Sequence, residues 1–306
     1  LVSSFVDSVL QSKPTIFIFE NVEGFITKDQ GSWLFELLRL CEVYTIRLRK
    51  INFSNYGVPQ HRKRVIAIGM LGHDPGFPAA TSSTRGAPGS DNYGGDLPPC
   101  PSVGSVLSKI QEEISRFSSA KDLHDHNPPK ELELKRIKLL KQGEKMRDLP
   151  VEFQHKSYRK RANRRVADGT PSEKRGGAPS GIRRLIESDP SKAITGSATS
   201  EFIHPSEDRL ITSFECARIQ TFPVNYSFLG NDSEVNELIG NAVPPHFSKI
   251  LAEHIQQLLN KKESVPTAKS GLLEFIPTYS RGKSPILRKV CSIIEAKYIK
   301  NDLTAT

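Results

Sequence analysis

Thr15–Phe25, TIFIFENVEGF, constrains the fold of this chain more than any other stretch. Ile16, Phe17, Ile18 and Phe19 form an unbroken apolar run between Pro14 and Glu20-Asn21. A run that short and that apolar predicts a strand buried on both faces, the usual setting of strands in a parallel sheet. A carboxylate and an amide stand where this strand should leave the sheet. Ligands of open α/β sheets bind at the carboxyl ends of the strands, which makes Glu20 and Asn21 candidates for chemistry. Read in isolation, a polar turn explains the pair equally well, so the rest of the chain has to decide.

The surrounding elements fit an α/β sheet. Val2–Leu10 has the pattern of an amphipathic helix, with Val2, Phe5, Val9 and Leu10 on one side. Ser32–Leu40 reads as a helix with a core stripe of Trp33, Leu34, Leu37 and Leu38, and Tyr44–Leu48 alternates as a strand does. Asn55–Pro59 is turn chemistry, and Val65–Gly69 is a second buried strand. From His73 to Pro101 the composition shifts to Gly, Pro, Ser, Thr and Ala, as in linkers and irregular loops. Val103–Phe117 and Leu132–Leu140 return to helical patterns, but the middle third is poor in long periodic elements, which predicts a small loop-rich domain. Thr212-Ser213-Phe214-Glu215 is a capping box opening a helix that Pro223 should end. Gly240–Pro245 places two prolines before an apolar-faced helix, His246–Leu259. The tail from Val265 holds an apolar patch, Leu272–Ile276, and a helical pattern over Ile286–Lys300, with no functional reading of its own.

Charge is concentrated. Of the net +9, the segment Lys130–Arg184 carries 17 Lys/Arg against 7 Asp/Glu, and the remaining 26 basic and 27 acidic residues nearly cancel. Within it, KSYRKRANRR at Lys156–Arg165 has six basic residues, no acid and one aromatic. Such focusing points to a polyanion, most simply nucleic acid, with Tyr158, Arg159, Lys160, Arg161, Arg164 and Arg165 as candidate contacts. A solvated basic loop is the alternative. The four cysteines lack metal-ligand spacing, so no metal site is expected, and free thiols fit a reducing, cytoplasmic setting. No apolar run has the length of a membrane span, and no signal-peptide pattern is visible.

Four blocks in order, FENV at Phe19–Val22, Gln60-His61-Arg62-Lys63-Arg64, Arg209–Pro223 and Gly240–Pro245, resemble the motifs of the cytosine-C5 DNA methyltransferases of bacterial restriction–modification type. The resemblance covers most of Pro14–Leu259. It implies the later half of a Rossmann-like sheet that uses S-adenosyl-L-methionine, plus a target-recognition domain for double-stranded DNA. It also implies a chemistry: a cysteine thiolate adds to carbon 6 of a flipped cytosine, a carboxyl group protonates N3, and carbon 5 takes a methyl group. Glu20 matches the carboxyl residue, which a closed pocket would keep protonated by desolvation. Asn21 matches its pocket-shaping neighbour, and Arg62 the arginine that bonds the base O2. Gln60, Arg62 and Arg64, as alternate residues of an extended segment, should present one polar face, with Gln60 and Arg64 on the DNA side. Arg209–Pro223 matches an architectural block. Asn241 and Ala242 match contacts to the methyl donor; Leu238 stands where the family often has Gln.

Three family features do not occur in the chain in their expected place before FENV: a Gly-rich donor-binding turn, an acidic ribose contact and a Pro-Cys loop. Pro99-Cys100-Pro101 lies on the wrong side of FENV, and Cys100 is better read as a small loop residue. The expectation is therefore the C-terminal part of a methyltransferase, inactive alone, either continuous with a preceding segment or completed by a complementary N-terminal subunit. Residues 1–75 should belong to the catalytic domain, 76–230 to target recognition, 231–262 to the return into the catalytic domain, and 263–306 to a tail. The rival reading is a non-catalytic, sequence-specific DNA-binding protein.

Overall fold

A computed structural model of the protein describes residues 1–84, 96–117, 122–125, 128–160, 181–260, 268–277 and 283–299. Along the chain come α1 (Val2–Ser12), β1 (Ile16–Val22), α2 (Ser32–Leu37), β2 (Thr45–Asn52), β3 (Gln60–His61) and β4 (Lys63–Met70). Next are α3 (Val103–Leu107), α4 (Ile110–Arg116), α5 (Glu131–Leu139), β5 (Arg183–Arg184), β6 (Ser191–Lys192), α6 (Ala198–Glu201) and β7 (Phe202–Ile203). The last are α7 (Ser213–Ile219), α8 (Asp232–Asn241), α9 (Pro245–Asn260), β8 (Gly271–Ile276) and α10 (Pro285–Lys297). They divide into two compact units: Leu1–Gly57, Arg62–Pro99 and Phe247–Thr306 form the first, Val58–His61 and Cys100–His246 the second.

The first unit is built on a four-stranded sheet in the order β1-β4-β2-β8. Strand β4 runs antiparallel to both β1 and β2, and β8 runs parallel to β2. The parallel pairing expected for β1 is therefore corrected: a helical crossover still carries the chain from β1 to β2 in the same direction, but β4 lies reversed between them. Burial on both faces is corrected as well. Phe17 and Phe19 face the core, whereas Ile18 on the opposite face is 41% exposed. The core face stacks Phe5 of α1 against Phe17 and Phe19, with Tyr44 edge-on to Phe17 at 5.0 Å between centroids. Val65, Ala67, Ile46 and Leu48 complete it from β4 and β2. Helix α2 ends at Leu37 and a 3-10 turn, Leu38–Glu42, follows; Trp33, assigned to the core stripe, is 42% exposed because this short helix turns only its Leu34–Leu37 side inward.

The tail is integral to this unit. Glu274 of β8 pairs with Arg47 and Arg49 of β2. Leu272, Val290 and Ile294 are buried in the same core as α1 and β1. Helix α10 also lies on a tight turn: Asp29 and Gln30 have φ of 47° and 58°, Gly31 has φ of 92°, and the Lys289 ammonium donates to Gln30 Oε1 at 3.1 Å. A Cβ on Gly31 would come within 2.8 Å of Val290 Cγ2, so both the positive φ and the close approach require glycine there.

The second unit has short helices and two-residue ladders, β3 with β6 and β5 with β7, both parallel. Its main core gathers Phe214, Ala217 and Ile219 of α7, Val103 and Leu107 of α3, Ile110 of α4, and Val235 and Ile239 of α8. The capping box forms: Thr212 accepts from the Glu215 amide, and Glu215 accepts from the Thr212 amide. Buried Glu215 also receives both arms of Arg209, at 2.9 and 2.7 Å. Helix α7 stops at Ile219, four residues before Pro223, because Thr221 takes a left-handed φ of 69°. A second core of Ile137, Leu140, Met146, Leu149, Ile182 and Ile203 is braced by Arg184, which donates to the carbonyls of Ile137, Leu140, His204 and Glu207 and to Asp208. The second unit runs to His246 and so takes in α8, which the sequence had assigned to the catalytic domain. The segment after 263 joins the first unit.

If the tail is a working part of the core, Ile294→Ala should destabilise the first unit by about 2–5 kcal/mol, the range for truncating a fully buried branched side chain. Urea unfolding measures it; a cost below about 1 kcal/mol would make α10 a peripheral addition.

Candidate active site

Glu20 occupies the third-last position of β1 and lies opposite Ile66, while Arg64 lies opposite Val22. Residues i and i+2 of a strand share a face, so Arg64 stands diagonally beside Glu20, on the face away from Phe17 and Phe19. Its Nε meets Glu20 Oε1 at 2.9 Å. The Glu20 side chain keeps 30% of its exposure. Burial raises its carboxyl above the ordinary value, with Arg64 and then Arg62 pulling it down. The site thus holds a half-buried, open-sided carboxyl group that resists ionisation and is oriented by one arginine.

Arg62 is 1% exposed, among the most deeply buried large side chains in the protein. Burial lowers its guanidinium to about 10, repulsion from Arg64 adds to this, and attraction to Glu20 opposes it. Arg62 and Arg64 thus both act electrostatically on Glu20. Arg64, expected on the DNA side, has its guanidinium engaged by Glu20 and by the Lys63 carbonyl, the latter at 2.8 Å. The Asn21 side-chain oxygen, Oδ1, accepts from the Val22 amide at 2.9 Å, closing the strand end locally.

Gln60 is the larger correction. It is fully buried, and its amide bonds Gln220, the Ile219 carbonyl and the Ile194 amide, all in the second unit. No part of it is available to DNA. The assumed common polar face fails because the strand is broken: Gln60-His61 is β3 and pairs with β6, whereas β4 begins at Lys63. Alternation does not carry across such a break. Gln220, which the sequence marks only as a member of the architectural Arg209–Pro223 block, is the partner that explains Gln60; two glutamines 160 residues apart give no local signal of pairing.

Asn241 ends α8 exposed, and Ala242 follows half-buried, so this block turns a polar side chain outward where a ligand can meet it. In the basic cluster Arg159 and Lys160 are exposed, while Tyr158 packs against the core that contains Ile137 and Met146. Arg161, Arg164 and Arg165 lie outside the described residues. The Cys100 thiol donates to the Val58 carbonyl at 3.2 Å. Among the described residues no group of three or more His, Cys, Asp or Glu could hold a metal, and no helix is long and apolar enough to cross a membrane.

Comparison with known proteins places these residues in context. The C-5 cytosine-specific DNA methylase family matches residues 1–257. The type II methyltransferase M.NgoFVII of Neisseria gonorrhoeae is 29% identical over 262 residues, covering 83% of this chain and 62% of that protein. M.PspPI of a Psychrobacter strain is 27% identical, over 85% of this chain and 58% of its own length. DNA (cytosine-5)-methyltransferase 3 of Arabidopsis thaliana is 29% identical, over 81% of this chain and 20% of its own length. Among solved structures, a DNA modification methyltransferase encoded within an E. coli prophage shares the fold, with a TM-score of 0.53 at 19% identity over 85% of this chain and 74% of that one. The chain therefore spans about three-fifths of the length of the first two bacterial relatives.

The electrostatics of the pair yield a direct check. Arg64→Met removes the main influence holding the Glu20 pKa down, so that pKa should move further up. Carboxyl-carbon NMR titration of the chain reads it; an unchanged or lower value would mean the ion pair is not formed in solution.

Proposed function

The chain belongs to the C-5 cytosine-specific DNA methylase family, and on that footing we propose that it carries the base-holding and target-recognition parts of a DNA (cytosine-5-)-methyltransferase. The observation that carries this reading is Glu20: a carboxyl group at a strand end, raised by burial and braced by Arg64. A carboxyl whose pKa is raised by burial is a candidate to carry a proton to N3 of a cytosine turned out of the duplex, which would make carbon 6 more electrophilic. Glu20 holds that proton; Arg64 orients the carboxyl; Arg62 supplies positive charge beside it and is the candidate donor to the base O2. Asn21 shapes the strand end. S-adenosyl-L-methionine, when bound, supplies the methyl group, and Asn241 and Ala242 are the residues of this chain proposed to meet it. The names of the bacterial relatives, type II methyltransferases, favour a restriction–modification setting. A purely DNA-binding protein would have no use for a carboxyl group tuned in this way.

The methyl transfer is proposed for the whole protein. A Pro-Cys-Gln loop does not occur in these 306 residues, so the chain alone should transfer no methyl group from radiolabelled S-adenosylmethionine to DNA; transfer by the chain alone would overturn this. In the intact protein, Glu20→Gln should slow turnover by about 10²-fold or more, the scale of general acid–base help, while DNA affinity stays near wild type. Wild-type turnover in that variant would return Glu20 to a structural role.

DNA binding is assigned to the basic cluster, with Tyr158, Arg159, Lys160, Arg161, Arg164 and Arg165 as contacts to the backbone. Phosphate contacts release counterions, so log affinity should fall with log salt by roughly 0.9 per contact. Replacing Arg159, Lys160, Arg161, Arg164 and Arg165 by Ala should weaken binding to every DNA sequence and flatten that slope, with less effect on site preference. Fluorescence anisotropy across a salt series decides it; an unchanged slope would leave the cluster as solvated surface.

A further inference from the structure

Gln60 and Gln220 lie at the centre of a closed ring of contacts inside the second unit. The Gln60 amide nitrogen donates to Gln220 Oε1 at 2.5 Å and to the Ile219 carbonyl at 3.4 Å. Its oxygen accepts from the Ile194 amide at 3.0 Å. The Gln220 amide nitrogen in turn donates to the carbonyls of Ile239, at 2.6 Å, and Ala242, at 3.3 Å. Both side chains are 0% exposed. Every amide hydrogen of the pair thus has an acceptor, and each side-chain oxygen has a donor. The ring closes through Gly240, where an added Cβ would lie 2.3 Å from the Gly196 nitrogen and 2.5 Å from the Thr195 carbonyl carbon. Backbone against backbone at that distance leaves no room for a side chain, so the turn that starts at Gly240 is seated on Thr195–Gly196.

One of the last carbonyls of α8, on Ile239, and the carbonyl of Ala242 just beyond the helix therefore accept from a buried side chain. Asn241 and Ala242 lie between the Ile239 carbonyl and the one on Ala242 itself, so the backbone on both sides of Asn241 is fixed. A buried, fully satisfied polar network in a low-dielectric interior fixes one geometry, because any displacement strands a donor or an acceptor. The ring ties three separate parts of the sequence, at 60, 194–196 and 219–220, to the one turn that bears the proposed donor contacts.

We propose that Gln60 and Gln220 are positioning residues for the methyl donor: they hold the Gly240–Ala242 turn in the geometry that S-adenosylmethionine requires, and they touch neither donor nor DNA. The inference rests on the proposed methyltransferase function. The test is isothermal titration of S-adenosylmethionine into the intact protein, alongside steady-state kinetics, with Gln60→Met, Gln220→Met and the double variant, substitutions that keep the volume and remove the hydrogen bonds. The donor Kd should rise about tenfold in each single variant, and an unchanged Kd overturns the proposal. The expected result is a KM for S-adenosylmethionine raised about tenfold in each single variant, with kcat and the KM for DNA within about twofold of wild type. The double variant should be no worse than the worse single, as for two residues of one network. A thermal melt on each variant confirms the fold. A donor KM within twofold of wild type in the folded variants overturns the proposal, as does an effect confined to DNA. Loss of the fold in both single variants also overturns it, since the pair would then be a general structural element. Failure of the wild-type intact protein to use S-adenosylmethionine at all is a different outcome and defeats the methyltransferase reading itself.

Discussion

Strand β4 lies reversed between β1 and β2, and the pairing of Glu20 with Arg64 depends on that placement. An antiparallel neighbour brings the start of β4 to the end of β1, so Arg64 arrives beside Glu20 without any intervening loop. The ladder fixes both backbones, leaving the side chains little to decide except their rotamers. A carboxylate at a strand end would otherwise be a solvated group at its ordinary pKa. Here burial pushes it towards the neutral form and Arg64 keeps it oriented. The two influences oppose each other, burial raising the carboxyl and the arginines pulling it down.

The second unit solves a different problem. It has few long elements, so its backbone groups cannot all be satisfied by helices and ladders. Buried side chains do that work instead. Arg184 collects five acceptors from two parts of the chain, 137–140 and 204–208, Glu215 caps α7 and neutralises Arg209, and the two glutamines bind the ends of α7 and α8. Each such group is costly to bury and more costly to leave half satisfied. This makes the irregular unit specific in shape although its apolar cores are small.

The tail shows how a segment without a motif can still be required. Leu272–Ile276 joins the sheet at β2, and Glu274 pairs with Arg49 and shares Arg47 with Asp74. The family match ends at residue 257, so this strand and helix α10 lie beyond it.

Much of the local structure was legible in the sequence, because the forces involved are local. The apolar run before Glu20-Asn21 determined a strand, Thr212 and Glu215 determined a capped helix start, and the prolines at 244 and 245 determined where α9 begins. The order of the four motif blocks carried the family. Strand direction was not legible, since an apolar run has the same composition in a parallel or an antiparallel ladder. The surroundings of Gln60 were not legible either. A break of one residue at Arg62 moves Gln60 into another ladder, and its partner lies 160 positions away. Period-two alternation holds only while one strand continues, and a hydrogen bond between two distant amides leaves no pattern along the chain. Sequence therefore determined which residues are available for chemistry. Tertiary structure decided that Arg64 pairs with Glu20 and that Gln60 bonds Gln220, because burial and pairing depend on what the fold brings near.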